Sequence, residues 1–435
     1  MTGSRVGRLR RAIREYGLTA GTLGSTAGQT VMVALLPILL ARYTDSATLI
    51  GFAIGGEGMV AILVPYWIGA WSDHLPDRYA RRFGRRTFFL VLTAPLMAAS
   101  VAIAPFLNGF WPIAGAALVF FISLHGFLAP LWALMVDEVP QERRGGVQGV
   151  RGALHSAGLA FGLVGGGLLF SLWEPLPFVT AGALILVTTA ITYVAAPRTP
   201  TPGHQGGTAD ILMVWRRLKG RPAVSWMLLG NALWSSGVDG IRPYVFLFAT
   251  VVLGINVAQT SLLLMVIVAG LGVGALALGH LGDRYGHARL LMIGSGITGV
   301  AMLLGYFVRT VPGAVALLLF AGLGAATLIS LAYPLFASLI GERGVGRDTG
   351  LYIVTMGFGR IVAPVLIGAA IDLGRAGLPE VKGYPYMWPI AGALTLMGLL
   401  ALVRAMRYAR RDRIGPFGDA RAATVASGTH DPETV

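Results

Sequence analysis

Seven ionisable side chains stand deep inside long apolar runs, where a charge is costly and marks a functional position by default. They are Glu57, His125, Arg151, His155, Asp239, Arg242 and Arg360. Two kinds of chemistry suit them. A buried carboxylate whose proton affinity is set by a neighbouring cation can load and release a proton as that cation moves. A histidine can do the same near neutral pH. Asp239 beside Arg242 fits the first, as does Glu57 with Arg360, while His125 and His155 fit the second. The alternative for each is a static ion pair or a long side chain reaching toward water.

The remaining polar groups in these runs fall on shared helix faces. Asp239 and Arg242 are three residues apart and therefore neighbours on one helix surface. With Asn231 and Ser235 they make a polar stripe toward a cavity, with Trp234 at its edge. Gln148, Arg151, His155, Gly158 and Gly162 keep the same spacing, and His125 and Trp132, seven apart, also share a face. Gln29 is the corresponding polar residue of the first run. The expected small-molecule site comprises Gln29, His125, Trp132, Gln148, Arg151, His155, Asn231, Trp234, Asp239 and Arg242, with Trp132 and Trp234 as stacking platforms. The expected proton-coupling set is Glu57, Asp239 and Arg360.

These residues need a scaffold that holds polar groups inside an apolar medium. Of 435 residues, 55% are hydrophobic and 12% charged; a soluble domain carries about 25% charged residues. The apolar residues come in runs of membrane-spanning length, and helices satisfy the backbone within such runs. Twelve spans are expected, at about 17–42, 46–72, 87–108, 112–137, 146–171 and 177–197, then 223–253, 257–281, 288–308, 312–340, 348–373 and 386–408. They divide the chain into a first bundle (1–197), a polar linker (198–222), a second bundle (223–414) and a tail (415–435) expected to be disordered. Trp67, Trp71, Trp111, Trp173, Trp226 and Trp388 lie near span ends, where aromatic belts form.

The net charge of +14 sits mainly as Arg in the short connections on one side of the spans. This is the positive-inside pattern of a multi-pass membrane protein with both termini cytoplasmic, so a nucleic-acid partner is rejected in favour of the lipid bilayer. The chain has no cysteine, which excludes disulfides and thiol chemistry. No phosphate-binding loop, metal-ligand cluster or nucleophile–base motif occurs, so neither an enzyme nor a cofactor is expected.

Two motifs recur about 200 residues apart. Gly69-Ala-Trp-Ser-Asp73 followed by Arg82-Phe-Gly84-Arg85-Arg86 matches Gly279-His-Leu-Gly-Asp283-Arg284-Tyr-Gly286. Pro130-Leu-Trp-Ala133 with Asp137-Glu138 matches Pro334-Leu-Phe-Ala337 with Glu342. Such duplication in a helical membrane protein points to pseudo-symmetric halves.

These motifs resemble the major facilitator superfamily, over the whole chain. The resemblance implies an all-α membrane protein with twelve transmembrane helices in two pseudo-symmetric six-helix bundles, working by alternating access. It implies gating contacts at Gly69, Asp73, Gly84, Arg85, Gly279, Asp283, Arg284 and Gly286. In that fold helices 2 and 11 face each other. Glu57 lies about 11 residues (roughly 16 Å) and Arg360 about 13 residues (roughly 20 Å) from the outer ends of their helices, so an inter-bundle ion pair between them is expected. Gly55, Gly56 and Gly58 would allow the close approach.

Weaker features point to a substrate. The first loop, with residues 74–81 inserted and Asp77-Arg78 as an alternative match to Asp283-Arg284, is similar to the sucrose and glycoside branch of the superfamily, although Trp132 stands where that branch often has Arg. Gly158, Gly162, Gly166 and Gly167 resemble the glycine motif of drug-efflux antiporters, with Leu163 in place of its proline. The leading expectation is proton-coupled sugar or glycoside symport by a monomer in the plasma membrane. Proton-antiport efflux of amphipathic compounds and a non-transporting receptor or assembly factor are the alternatives. Sodium coupling also stays open.

Overall fold

The computed structural model describes residues 14–73, 75, 77–140, 143–196, 220–340 and 345–414. The expected linker up to residue 219, the tail, Glu342 and the basic cluster before Arg14 lie outside these residues.

The described chain is helical throughout. The first half contains α1 (Gly21–Leu40), α2 (Ala47–Asp73), α3 (Arg85–Ile103), α4 (Phe110–Glu138), α5 and α6 (Leu176–Ala195). Helix α5 starts as Arg144–Ala160, passes through a π-helical turn at Phe161–Gly165 and ends as Gly166–Leu172. The second half contains α7, α8 (Val257–Tyr285), α9 (His287–Gly305), α10 (Val311–Ile340), α11 (Val345–Gly374) and α12 (Met387–Arg411).

Eleven of the twelve crossings are continuous helices long and apolar enough to span a membrane, among the described residues. The seventh differs from the single span expected. It runs as Pro222–Gly240, breaks at a 3-10 turn Arg242–Tyr244, and resumes as Val245–Val252. Pro243 lacks an amide hydrogen and cannot continue the α-helical ladder. The break falls beside Asp239 and Arg242, so the charged pair sits where α7 is already interrupted.

The halves repeat one packing plan. Helix pairs 1·6, 3·4, 2·4, 3·6 and 1·5 of the first half recur as 7·12, 9·10, 8·10, 9·12 and 7·11 in the second. Small residues make these approaches close, as packing in lipid requires because burial of apolar surface drives little there. A Cβ on Gly158 of α5 would lie 2.8 Å from the Leu23 carbonyl oxygen of α1. At the equivalent place in the second half, a Cβ on Gly359 of α11 would lie 2.7 Å from Ser236 Oγ of α7. The glycines of the loop motifs match too. Gly84 precedes α3 at φ 82° and Gly286 precedes α9 at φ 86°, in a region that side-chain-bearing residues rarely enter.

The two halves meet along a seam with the same pseudo-symmetry: α2 against α11, and the later part of α5 against α8. The seam is closed at the end away from the described N- and C-terminal residues. The 144–160 segment of α5, α4 and α10 make their extensive packing within their own halves. Among the described residues the halves therefore lack extensive packing against each other toward the Arg-rich end, and the space between them there is taken as a cleft.

Candidate functional site

The centre of the site is Asp239, at the broken end of α7. Arg360 of α11 donates from Nε to Asp239 Oδ2 at 3.1 Å, and Arg242 donates to Asp239 Oδ1 at 3.4 Å. One carboxylate thus takes two guanidinium groups, one from its own helix and one from α11. The Asp239 side chain is 16% exposed, against 30% for Arg360 and 32% for Arg242.

The expected direct pair between Glu57 and Arg360 is not formed in this conformation. Glu57 is 4% exposed and instead accepts a hydrogen bond from the Gln29 amide of α1. The reason is geometric. The glycines do bring α2 and α11 together: a Cβ on Gly58 would meet the Ile361 backbone nitrogen at 2.7 Å, and one on Gly55 the Ile361 carbonyl oxygen at 3.0 Å. That close backbone contact leaves the long Arg360 side chain to extend toward α7 within its own half. Gly56 faces no atom within 4 Å and takes no part in the approach.

The α4 and α5 residues sit on the other wall. His125 is 7% exposed, and its Nε2 has no hydrogen-bond partner. It lies within electrostatic reach of both Glu57 and Arg360. His155 shares a 3.0 Å hydrogen bond with Thr26 Oγ1 of α1 and lies within reach of Arg151, Arg242 and Arg360. Arg151 donates to Gln148 Oε1 at 2.6 Å. Its guanidinium stands 5.8 Å from the centre of the Trp132 ring, which is 46% exposed.

Two expected site residues stand elsewhere. Trp234 is 2% exposed and packs between Gly230 and Gly398 of α12, whose missing side chains make room for the indole. Asn231 is 1% exposed, and its amide donates to Thr355 Oγ1 at 2.9 Å and the Tyr352 carbonyl at 3.2 Å. Both tie α7 to neighbouring helices rather than line the cleft. Trp388, expected at a belt, is likewise core: it is 3% exposed and edge-on to Phe248. Trp67, Trp71, Trp111 and Trp173 are exposed, as belt positions require.

Of the loop-motif residues, the side chains of Gly69, Asp73, Gly279 and Asp283 lie outside those described. Arg284 is exposed over the Tyr285 ring. Arg85 is partly buried, and its neighbour Arg86 pairs with Asp137 of α4 at 3.2 Å.

Two groups at the closed end escaped the sequence reading. Asp372, near the end of α11, accepts hydrogen bonds from the Ala47 and Thr48 backbone amides (2.8 and 2.9 Å) and from the Ser46 and Thr48 hydroxyls (2.8 and 2.6 Å). It therefore caps α2 of the opposite half, where the amides are otherwise unpaired and the helix dipole favours an anion. Lys382 reaches Asp45 at 3.3 Å, and Arg375 donates to the Asp45 carbonyl. Buried Tyr244 also bridges the halves, its hydroxyl lying 2.6 Å from the Pro364 carbonyl and 3.0 Å from that of Ala47. The Thr44-Asp-Ser-Ala-Thr48 run carries a helix-start signal, but nothing local says that the cap comes from residue 372.

Comparison with known proteins agrees with this architecture. The family model described as Major Facilitator Superfamily matches residues 18–272 and 244–429. A multi-drug resistance efflux pump PmrA homolog of Lactococcus lactis subsp. lactis (strain IL1403) is 25% identical over 327 residues, 72% of this chain and 75% of the pump. A bacterial homolog of the human lysosomal transporter Spinster, in an inward-facing and occupied conformation, superposes with a TM-score of 0.75 at 16% identity, covering 93% of this chain and 99% of that one. The nucleoside transporter NupG superposes with a TM-score of 0.72 at 13% identity, covering 91% and 99%. The duplicated helix plan, the cleft between its halves and the match of the family model over nearly the whole length make this chain a member of the major facilitator superfamily of transporters.

Proposed function

We propose that this transporter exports an amphipathic organic molecule in exchange for protons, by alternating access of its two halves. The observation that carries the reading is Asp239 held between Arg242 and Arg360 beside the cleft. A carboxylate compensated by two cations stays ionised. Draw one cation away, or bring in a substrate that competes for it, and proton binding becomes favourable. Arg360 belongs to α11, which packs on α2 of the other half, so movement between the halves acts directly on Asp239. Glu57, held by an uncharged amide, is the second proton-binding group. Alternating access then opens the cleft first to one side and then to the other.

Two observations favour export. Trp234 is withdrawn into the bundle, which removes the paired indole platform that suits a sugar ring and leaves Trp132 as the exposed one of the pair. The 25% identical relative is named as a multi-drug efflux pump. The Gln148–Arg151 pair offers hydrogen bonds and favours a second reading, proton-linked sugar or glycoside uptake. A receptor or assembly factor has no evident use for this carboxylate–arginine network. The Arg-rich connections support a plasma-membrane orientation with both termini cytoplasmic, in which the cleft faces inward. The chain acts as a monomer, with the proton as coupling ion.

The test is proton exchange in everted membrane vesicles with an acid interior and a pH-sensitive reporter in the lumen. Alkalinisation on adding amphipathic compounds outside, lost in Asp239→Asn, is the expected result. Alkalinisation seen only when the lumen is preloaded with sugar would establish uptake instead, and no response to either would sink proton coupling.

A further inference from the structure

The charges at the cleft do not balance. Arg151, Arg242 and Arg360 contribute three positive charges. Asp239 compensates Arg242 and Arg360 within 3.4 Å. Glu57 lies in electrostatic reach of Arg360 and takes its hydrogen bond from Gln29. Arg151 has no carboxylate within ion-pair distance among the described residues. It spends Nε on the neutral Gln148 amide and holds its guanidinium near the Trp132 ring. With the histidines neutral, the site carries one positive charge in excess, and Arg151 is where it lies.

A guanidinium inside a membrane span is stabilised by a counter-ion, by water or by a ligand. Here two features select the ligand. The outer edge of an arginine fork matches a carboxylate or phosphate with two parallel hydrogen bonds. Beside it stands an indole, 46% exposed, whose face suits a flat ring. His155, four residues along α5, lies within electrostatic reach of Arg151 and of Arg242 and Arg360 from the opposite half, so cationic groups of both halves act on the same part of the cleft.

We infer that the transported molecule is an organic anion with a planar apolar ring, its acidic group on Arg151 and its ring against Trp132. This rests on the export reading, since it names the cargo of that same cleft. The anion also supplies the coupling. Its charge at Arg151 adds negative potential to the cleft, so loading the cargo raises the affinity of Asp239 for the exchanged proton.

The experiment compares three ligands of one shape, 2-naphthoate, 2-naphthalenemethanol and 2-naphthylmethylammonium, on the purified full-length protein. Binding is read from thermal stabilisation and tryptophan quenching. Naphthoate is expected to stabilise the protein while the alcohol and the cation do not. Arg151→Gln should weaken naphthoate by about 10- to 100-fold, the range for losing a charged hydrogen-bonded contact. Arg151→Lys, which keeps the charge but not the fork, should recover part of that loss. Trp132→Phe should weaken naphthoate less than Trp132→Ala. An unliganded melting temperature equal to wild type in Arg151→Lys separates loss of binding from misfolding. Equal stabilisation by all three ligands, or naphthoate binding indifferent to Arg151, would overturn the anion inference. Proton exchange in the everted vesicles is scored separately. Exchange driven by the ammonium compound alone defeats this inference but keeps proton-linked export, whereas naphthoate binding with no proton exchange by any ligand defeats the export reading.

Discussion

Arg360 of α11 and Asp239 of α7 meet at 3.1 Å across a helix interface within one half of the molecule. This charged contact therefore reports on the opposing half indirectly, through α11 and its glycine-lined contact with α2. In the proposed exchange, coupling between proton and cargo would then depend on how far α11 moves.

Asp239→Asn should separate this network from substrate binding. Removing the carboxylate leaves Arg242 and Arg360 facing each other, and the cost should be about 3 kcal/mol, at the low end for breaking a buried pair because both arginines keep some exposure. Thermal unfolding of the purified variant measures it. Counterflow exchange of substrate, which needs no net proton movement, should survive while gradient-driven transport is lost. Retained gradient-driven transport would remove Asp239 from the coupling role.

Glu57→Gln gives a different readout. Its partner Gln29 is uncharged, so the variant keeps an amide–amide hydrogen bond and should lose no more than about 1 kcal/mol. Transport should persist with an altered dependence on pH if Glu57 is one of the two carboxylates proposed to exchange protons. An unchanged rate–pH profile would leave Glu57 with a structural role only.

Asp372 holds the closed end through four hydrogen bonds to the start of α2. Asp372→Ala removes an N-cap and should cost about 1 kcal/mol, and it should shift the population toward opening at that end. The chain has no cysteine, so spin labels can be placed without prior substitutions. Labels at Leu49→Cys and Leu373→Cys, both exposed, should show a longer distance in the Asp372→Ala background. An unchanged distance distribution would mean that Tyr244 and the Asp45 contacts suffice to hold the seam.

Gly84 and Gly286 adopt matched positive-φ conformations before α3 and α9. Replacing either with Ala should destabilise the protein by about 1–3 kcal/mol, since the backbone there is open essentially to glycine alone. Equal effects, read as melting-temperature shifts, would support equivalent gating roles for the two loop motifs. A loss confined to Gly286→Ala would mean that the insertion at residues 74–81 has relieved the first loop of that role.

The sequence alone determined the twelve crossings, the duplicated halves and the set of charges within the long apolar runs. These properties are local or periodic: a run of apolar residues must be satisfied within itself, and a motif repeated in two halves reads as a repeat before either half is folded. The small residues around Glu57 likewise announced a close helix approach. Only the tertiary structure decided which charge meets which. Glu57 and Arg360 lie at matching depth, yet depth along a helix says nothing of the direction in which a long side chain extends, and the tight α2–α11 contact turned Arg360 toward Asp239. Trp234 and Trp132 likewise look equivalent as residue types, but Gly398, more than 160 positions away in α12, made a slot for one and left the other exposed. The cap from Asp372 to Ser46, Ala47 and Thr48 joins residues over 320 positions apart. A helix start shows in its own sequence; the partner that completes it is set by the packing of the two halves.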